Sequence, residues 1–162
     1  MPLPEFNPSL TPHEMLQLGV FEGKYLNATL DEYPAEWRDG AKLASVANPM
    51  LNAFKNKSRM SLGHWKAQGW INEQDPLGWF QWYCRYYMGR RSEDDHRQIS
   101  RHRAFVRHSA QVLKNGRGDR NVRIIQRQAL LQWAHDPFPD VVSLAGESSF
   151  KKVKRVFSSS AR

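Results

Sequence analysis

The sequence predicts a mostly α-helical fold, a compact single-domain helical bundle with an irregular N-terminal segment. The chain has 162 residues, of which 40% are hydrophobic, and this is about what one domain with one core needs. Signals that start and end helices recur along the chain. Runs of alternating β-branched residues, which would indicate strands, do not occur in the sequence.

Proline and glycine divide the first seventy residues into short pieces. Thr11-Pro12-His13-Glu14 has the pattern of a capping box with proline at the first helical position. Gly19 is expected to end the helix that starts there. We therefore expect short helices and irregular turns in this part of the chain.

Three longer helices are predicted further along, at 76–88, 93–114 and 120–135. Asp75-Pro76 has the pattern of an N-cap followed by a first-turn proline, which predicts the start of the first helix. Asn115-Gly116 is a strong stop signal and predicts the end of the second helix.

The helical domain is expected to span residues 1–136. Residues 137–162 are expected to form a basic, flexible C-terminal tail, because chain ends are ordered only where they are held down. Within this segment Phe150, Val153 and Phe157 have the spacing of one helix face, so an amphipathic turn could form there on a partner.

The aromatic block of the first long helix predicts the centre of the core. Six of the nine positions from Trp79 to Tyr87 are aromatic, and a helix that is apolar on nearly all sides must be covered by its neighbours. Apolar positions at helical spacing add core residues from the later helices. The side chains expected to be mostly buried are Trp79, Phe80, Ile99, Val106, Ile125 and Trp133.

The net charge of +8 is concentrated in the middle of the chain. Residues 85–127 contain twelve Lys or Arg against four Asp or Glu, and eleven of those cations are arginines. Arginine suits bidentate contact with phosphate and stacking on rings, whereas surfaces that serve solubility contain more lysine. The pattern therefore favours a surface that faces a polyanion.

The predicted function is nucleic-acid binding through an arginine-rich helical surface with adjacent aromatic rings. Arginines recur at helical spacing, and no acid lies between Arg97 and Lys114, although acids usually interleave on a solvated helix. The predicted nucleic-acid-binding residues are Arg85, Arg90, Arg91, Arg97, Arg101, Arg103, Arg107, Arg120, Arg123 and Arg127.

Two other functions fit the same residues. One is a small enzyme that acts on a nucleotide or a nucleic-acid base, because rings beside guanidinium groups suit a flipped base. Its candidate proton carriers are Tyr83, Tyr86, Asp95 and His102. The other is an interaction module whose basic face meets an acidic protein partner.

Several classes of protein are disfavoured by the sequence. It contains no stretch of eighteen apolar residues that would span a membrane. Its single cysteine, Cys84, and the spacing of its histidines predict no zinc site, and no cofactor motif is present. The lone cysteine and the absence of a secretory pattern predict a cytoplasmic or nuclear protein.

Residues 78–91 (GWFQWYCRYYMGRR) and 127–134 (RQALLQWA) resemble segments of an uncharacterised protein family from varied organisms. The resemblance extends over about residues 11–135. It implies one domain over that span and implies no activity.

Overall fold

The computed structural model describes residues 2–57 and 62–159, apart from the side chains of residues 62–64. The mostly helical fold is confirmed, and no strand occurs in the described ranges. The α-helices are α1 (Pro12–Leu18), α2 (Leu62–Ala67), α3 (Trp79–Tyr87), α4 (Asp95–Ala104), α5 (Val106–Asn115), α6 (Ile124–Gln132) and α7 (Ser149–Ser158). None of these described helices has the length and apolar character needed to cross a membrane.

The N-terminal segment is irregular, as the sequence predicts. The capping box of α1 is confirmed, with Glu14 N donating to Thr11 Oγ1 at 3.2 Å and Thr11 N donating to Glu14 Oε1 at 2.9 Å. Gly19 ends the helix with a φ of 101°, and a Cβ there would lie 2.0 Å from the Leu51 carbonyl oxygen. The chain then continues through short 3-10 turns at Phe21–Gly23, Asn27–Glu32, Ala35–Arg38 and Pro49–Leu51.

Helix α3 lies at the centre of the core, as its aromatic sequence predicts. The side chains of Phe80, Trp82, Tyr83 and Cys84 are all at most 1% exposed. The helix begins at Trp79 rather than at residue 76. The expected N-cap, Asp75, is instead a buried partner of two arginines, so its carboxylate is not available to cap a helix.

The second predicted helix is broken at Phe105 into α4 and α5. Phe105 N donates to the carbonyl of His102, and His108 N donates to the carbonyl of Phe105. Both bonds span three residues, so the chain forms a 3-10 turn there. The turn changes the face that α5 presents to the core. Val112 becomes fully buried, while Val106 is 58% exposed, so the predicted burial of Val106 is wrong.

The third predicted helix, α6, begins at Ile124 rather than at residue 120. The preceding residue, Arg123, has a left-handed φ of 61°, which sets the direction of the helix. Ile125 is consequently 67% exposed, against the prediction. Trp79, Phe80 and Ile99 are buried as predicted, whereas Trp133 is only partly buried.

The C-terminal segment forms a docked helix, α7, in place of the flexible tail expected from the sequence. Ser148 caps it by accepting a hydrogen bond from Lys151 N at 3.2 Å. Val153 is fully buried, and the ring of Phe157 lies 5.2 Å from that of Phe54. The apolar spacing noted in the sequence therefore serves the protein's own core, because burying this face stabilises the helix.

Candidate functional site

Arg127, a predicted phosphate contact, is a core residue. Its side chain is fully buried and forms two hydrogen bonds with the Asp140 carboxylate, at 2.7 and 2.8 Å. It also donates to the carbonyls of Val122 at 2.7 Å, Pro137 at 3.0 Å and Gly116 at 3.2 Å. Arg127 therefore ties together the chain on both sides of α6, and its placement among the nucleic-acid-binding residues is corrected.

Arg85 and Arg90 hold one buried carboxylate between them. Arg90 Nη2 lies 2.6 Å from Asp75 Oδ2, and Arg85 Nη1 lies 2.9 Å from Asp75 Oδ1. Arg85 also pairs with Glu32 at 2.7 Å, which raises the pKa of Arg85 and lowers that of Glu32. These two arginines neutralise acids of the N-terminal half, which uses much of their hydrogen-bonding capacity. Their role in binding an external anion stays a prediction.

Three further predicted arginines are held by groups of the protein. Arg97 binds Asp94 through two hydrogen bonds of 2.6 and 3.0 Å. Arg91 donates to the Tyr86 carbonyl at 2.9 Å and lies over the Tyr86 ring. Arg120 donates to carbonyls in the last turn of α7, the shorter bond being 2.7 Å to Phe157 O. Their donors are thus partly used in holding the fold.

The remaining predicted arginines differ in their surroundings. Arg103, Arg107 and Arg123 are exposed, and their side chains form no hydrogen bond or ion pair with any residue in the described ranges. Arg101 is only half-exposed and lies in a cleft. These four are therefore the predicted residues that remain available to a ligand.

The cleft has a volume of about 420 Å³ and is lined mainly by aromatic rings. It lies between the start of α3, the turn that joins α4 to α5, and the C-terminal end of α6. Arg101 and Arg107 are its cations, and no carboxylate lines it among the described residues. The rings that line it are Phe21, Tyr25, Trp65, Trp70, Trp79, Phe80, Phe105 and Trp133.

The back of the cleft is a set of rings in mutual contact. The rings of Phe105 and Trp133 are stacked with centroids 5.2 Å apart and planes within 20°. Trp133 also lies 4.9 Å from Trp79. Because these rings support one another, they form a rigid apolar surface against which a planar group can stack.

Arg101 is the polar group that distinguishes this cleft. Its Nη1 donates to Trp70 O at 3.2 Å and to Gln98 Oε1 at 3.0 Å, both of them neutral acceptors. Its guanidinium carbon lies 5.1 Å from the centre of the Trp133 ring. Burial, and then repulsion by Arg97, lower the pKa of Arg101. No carboxylate pairs directly with Arg101 in the described structure, although the charge of Asp94 acts on it from a distance. An anion bound in the cleft would supply a direct counter-charge.

The candidate proton carriers of the enzyme hypothesis do not assemble into a site. Tyr83 is 1% exposed and donates its hydroxyl to Leu10 O at 2.6 Å, and burial raises its pKa. Asp95 is 1% exposed and accepts a hydrogen bond of 2.9 Å from Trp82 Nε1. Tyr86 lies beneath Arg91. Tyr83, Asp95 and Tyr86 are also not among the residues that line the cleft.

His102, the fourth candidate, is buried in a column of rings. Its ring lies 4.0 Å from that of His135, with the planes within 10°, and 5.7 Å from Trp79. Neither of its ring nitrogens has a hydrogen-bond partner, and burial lowers its pKa to about 3. His102 is therefore neutral at physiological pH and poorly suited to carry protons there. The described residues also contain no group of three His, Cys, Asp or Glu placed to hold a metal ion.

Sequence reasoning missed most of the cleft wall. Trp65, Trp70 and Phe105 were not identified as site residues, and Gln132 was not considered. Trp65, Trp70 and Ile71 lie close together in an otherwise mostly polar stretch, and this small apolar group was the available signal.

The chain matches no protein-family model, and no curated protein or solved structure shows significant similarity to it. The resemblance of residues 78–91 to an uncharacterised family therefore stays a prediction.

Proposed function

We propose that this protein binds single-stranded nucleic acid by inserting an unstacked base into the aromatic cleft. The observation that carries the proposal is Arg101, a cation without a carboxylate partner in the described structure, which lies over the Trp133 ring inside a cleft of rings. Aromatic rings and guanidinium planes are the groups on which proteins stack splayed-out bases.

The size and shape of the cleft support a single base as its occupant. Its volume of about 420 Å³ falls in the range of pockets that enclose small planar ligands. A base paired within a duplex cannot enter without being flipped out, which costs a few kcal/mol. Single-stranded nucleic acid is therefore the preferred form.

The neighbouring arginines provide for the phosphates. Arg107 lines the cleft and is exposed, and Arg103 is exposed one turn earlier in sequence. Neither is engaged by an acid of the described structure. Contacts between these side chains and backbone phosphates release counterions, so binding should weaken with salt.

The test uses the intrinsic fluorescence of the tryptophans, because four of the six in the chain line the cleft. An unlabelled deoxyadenosine hexamer is titrated into the protein, and so, separately, is a duplex of about twenty base pairs, which is long enough to stay paired in the assay. We expect quenching by the single strand, at least tenfold weaker binding of the duplex, and an affinity that falls as salt rises. Equal binding of both forms, or no quenching, would refute the proposal.

Two variants and one matched control locate the interaction. Trp70→Ala removes a half-exposed ring of the cleft, and Arg107→Ala removes an exposed cation. Each should lower the affinity about tenfold, the value of one stacking or phosphate contact. Arg123→Ala removes an exposed arginine just before α6, about 13 Å along the helix axis from the end of α6 that lines the cleft. This control should change the affinity for the hexamer far less. If AMP binds as tightly as the hexamer, the site serves a free nucleotide instead.

A second candidate function is docking of an acidic helix from a protein partner. Helix α5 exposes Val106 and Leu113, at 58% and 62%, with exposed Ala110 between them. Arg107 and Lys114 lie beside this row. The double variant Val106→Ser, Leu113→Ser separates the two functions. If docking is the function, this double variant loses the calorimetric binding of an acidic amphipathic peptide that the wild type shows. Its binding of the hexamer is unchanged.

A further inference from the structure

Gln132 is a nearly buried amide in the wall of the aromatic cleft. It is the last residue of α6, it is 7% exposed, and it lines the cleft beside Trp133. Its carboxamide forms no hydrogen bond with any residue of the described chain. A polar side chain with its hydrogen-bonding capacity unused therefore lies next to the aromatic surface.

Two of the other buried glutamines pair their amides within the protein, whereas a third, Gln98, leaves its Nε2 without a partner. Gln128 accepts from Phe54 N at 3.0 Å and donates to Gly19 O at 3.1 Å. Gln81 accepts from Leu77 N at 2.9 Å. Burying an amide without partners is costly, and buried polar groups in proteins are usually paired. Gln132 has no such partner, and its amide atoms keep some access to solvent, so a ligand in the cleft could pair with them.

We propose that Gln132 pairs with the edge of the inserted ring, so that the ligand is a nucleobase with a donor and an acceptor side by side. This inference rests on the proposed function. A glutamine amide supplies one acceptor and two donors. It can accept from the exocyclic amino group of adenine while donating to the adjacent ring nitrogen.

Gln132 also supplies what the arginines of the cleft cannot. A guanidinium group has donors only, so Arg101 and Arg107 can bind phosphates or base carbonyls but cannot accept from an amino group. An aromatic acid without an amino group would need only the rings and the guanidinium groups in order to bind. The amide makes the cleft selective for a nitrogen heterocycle with an amino group at its edge.

The experiment compares two nucleotides that differ only at that edge. AMP and purine riboside 5′-monophosphate share the ring system, sugar and phosphate, but the second lacks the amino group. Both are titrated into the wild-type protein, Gln132→Met and Gln111→Met, with tryptophan fluorescence as the readout. Methionine keeps the length of glutamine and its helix preference, and Gln111 is an exposed control on α5.

We expect the wild-type protein and Gln111→Met to bind AMP about fivefold more tightly than purine riboside 5′-monophosphate, the value of one net hydrogen bond. Gln132→Met should bind both nucleotides equally, through weaker binding of AMP. A wild-type ratio near one overturns the inference even if Gln132→Met fails to fold. An unchanged ratio in a folded Gln132→Met does the same. In both cases, quenching by the nucleotides still supports the proposal that the cleft binds a base. Absence of quenching by either nucleotide and by the hexamer would refute the proposed function itself.

Discussion

The guanidinium group of Arg101 lies over the ring of Trp133, 5.1 Å from its centre, and hydrogen-bonds only to neutral oxygens. Arg97, one turn before it, pairs with Asp94, whereas Arg103 and Arg107 have no partner among the described residues. Since a partly buried cation without a counter-ion is unfavourable, an anion in the cleft would bind there with little competition from the protein. Arg101 and Trp133 therefore offer a ligand a positive charge and an aromatic surface at the same place.

The first prediction concerns the shape of this cation. Arg101→Lys keeps the charge but removes the planar group that lies over Trp133. We expect about a tenfold loss of affinity for the deoxyadenosine hexamer, measured by tryptophan fluorescence, with a melting temperature close to that of the wild type. Arg123→Lys, at an exposed position, should bind as the wild type does. Equal affinities of the two variants would show that Arg101 acts as a charge alone or not at all.

The sequence allowed the helical class and several helix ends to be predicted, because these depend on local signals. The capping box at Thr11 and the stop at Gly116 involve residues only a few positions apart, and both occur in the structure. The burial of Val106 was predicted wrongly, because it depends on a break at Phe105 that tertiary packing imposes. Periodicity assumes one straight helix and cannot anticipate that break.

The candidate site was harder to predict for a related reason. Whether an arginine faces a ligand or a carboxylate depends on contacts between residues far apart in sequence. Asp75 and Asp140 bind Arg90 and Arg127 across loops that local patterns do not describe. Helical spacing grouped these arginines with Arg101 and Arg107, although only the latter pair lines the cleft.

The second prediction separates structure from binding at Arg127. This side chain is fully buried with Asp140, and removal of one partner leaves an unpaired buried charge. Arg127→Met should lower the free energy of unfolding by about 3–5 kcal/mol, measured by urea denaturation. At a urea concentration where the variant remains folded, its affinity for the hexamer should match that of the wild type. A stable variant that fails to bind would place Arg127 in the site.

The third prediction concerns the C-terminal helix. Val153 is fully buried against the core, so Val153→Ala should lower the free energy of unfolding by roughly 1–3 kcal/mol. Val142 is 82% exposed, and Val142→Ala should leave it nearly unchanged. Deleting the chain after Glu147 should lower the melting temperature by more than Val153→Ala does. An unaltered melting temperature after this deletion would mean that α7 does not contribute to the core.

The last prediction concerns pH and the buried ring of His102. Its ring is surrounded by Phe6, Trp79 and His135, and burial, followed by the proximity of His135, lowers its pKa to about 3. In the unfolded chain the pKa of a histidine is about 6.5. Between these values the histidine is protonated in the unfolded chain but neutral in the folded protein. The free energy of unfolding therefore falls as the pH falls from about 6.5 toward 3.

Between pH 7 and pH 5 this proton should cost the wild type roughly 2 kcal/mol of unfolding free energy, with a further contribution from His135, whose pKa is also lowered by burial. His102→Leu removes the proton-binding group and the two unpaired ring nitrogens. Its unfolding free energy, measured by urea denaturation at each pH, should therefore decline less steeply than that of the wild type. His96→Leu, at an exposed position, should keep the wild-type slope. A ring that stays neutral in the folded protein must make the unfolding free energy fall with pH. If His102→Leu and the wild type lose stability in parallel, a group other than His102 therefore controls the acid sensitivity.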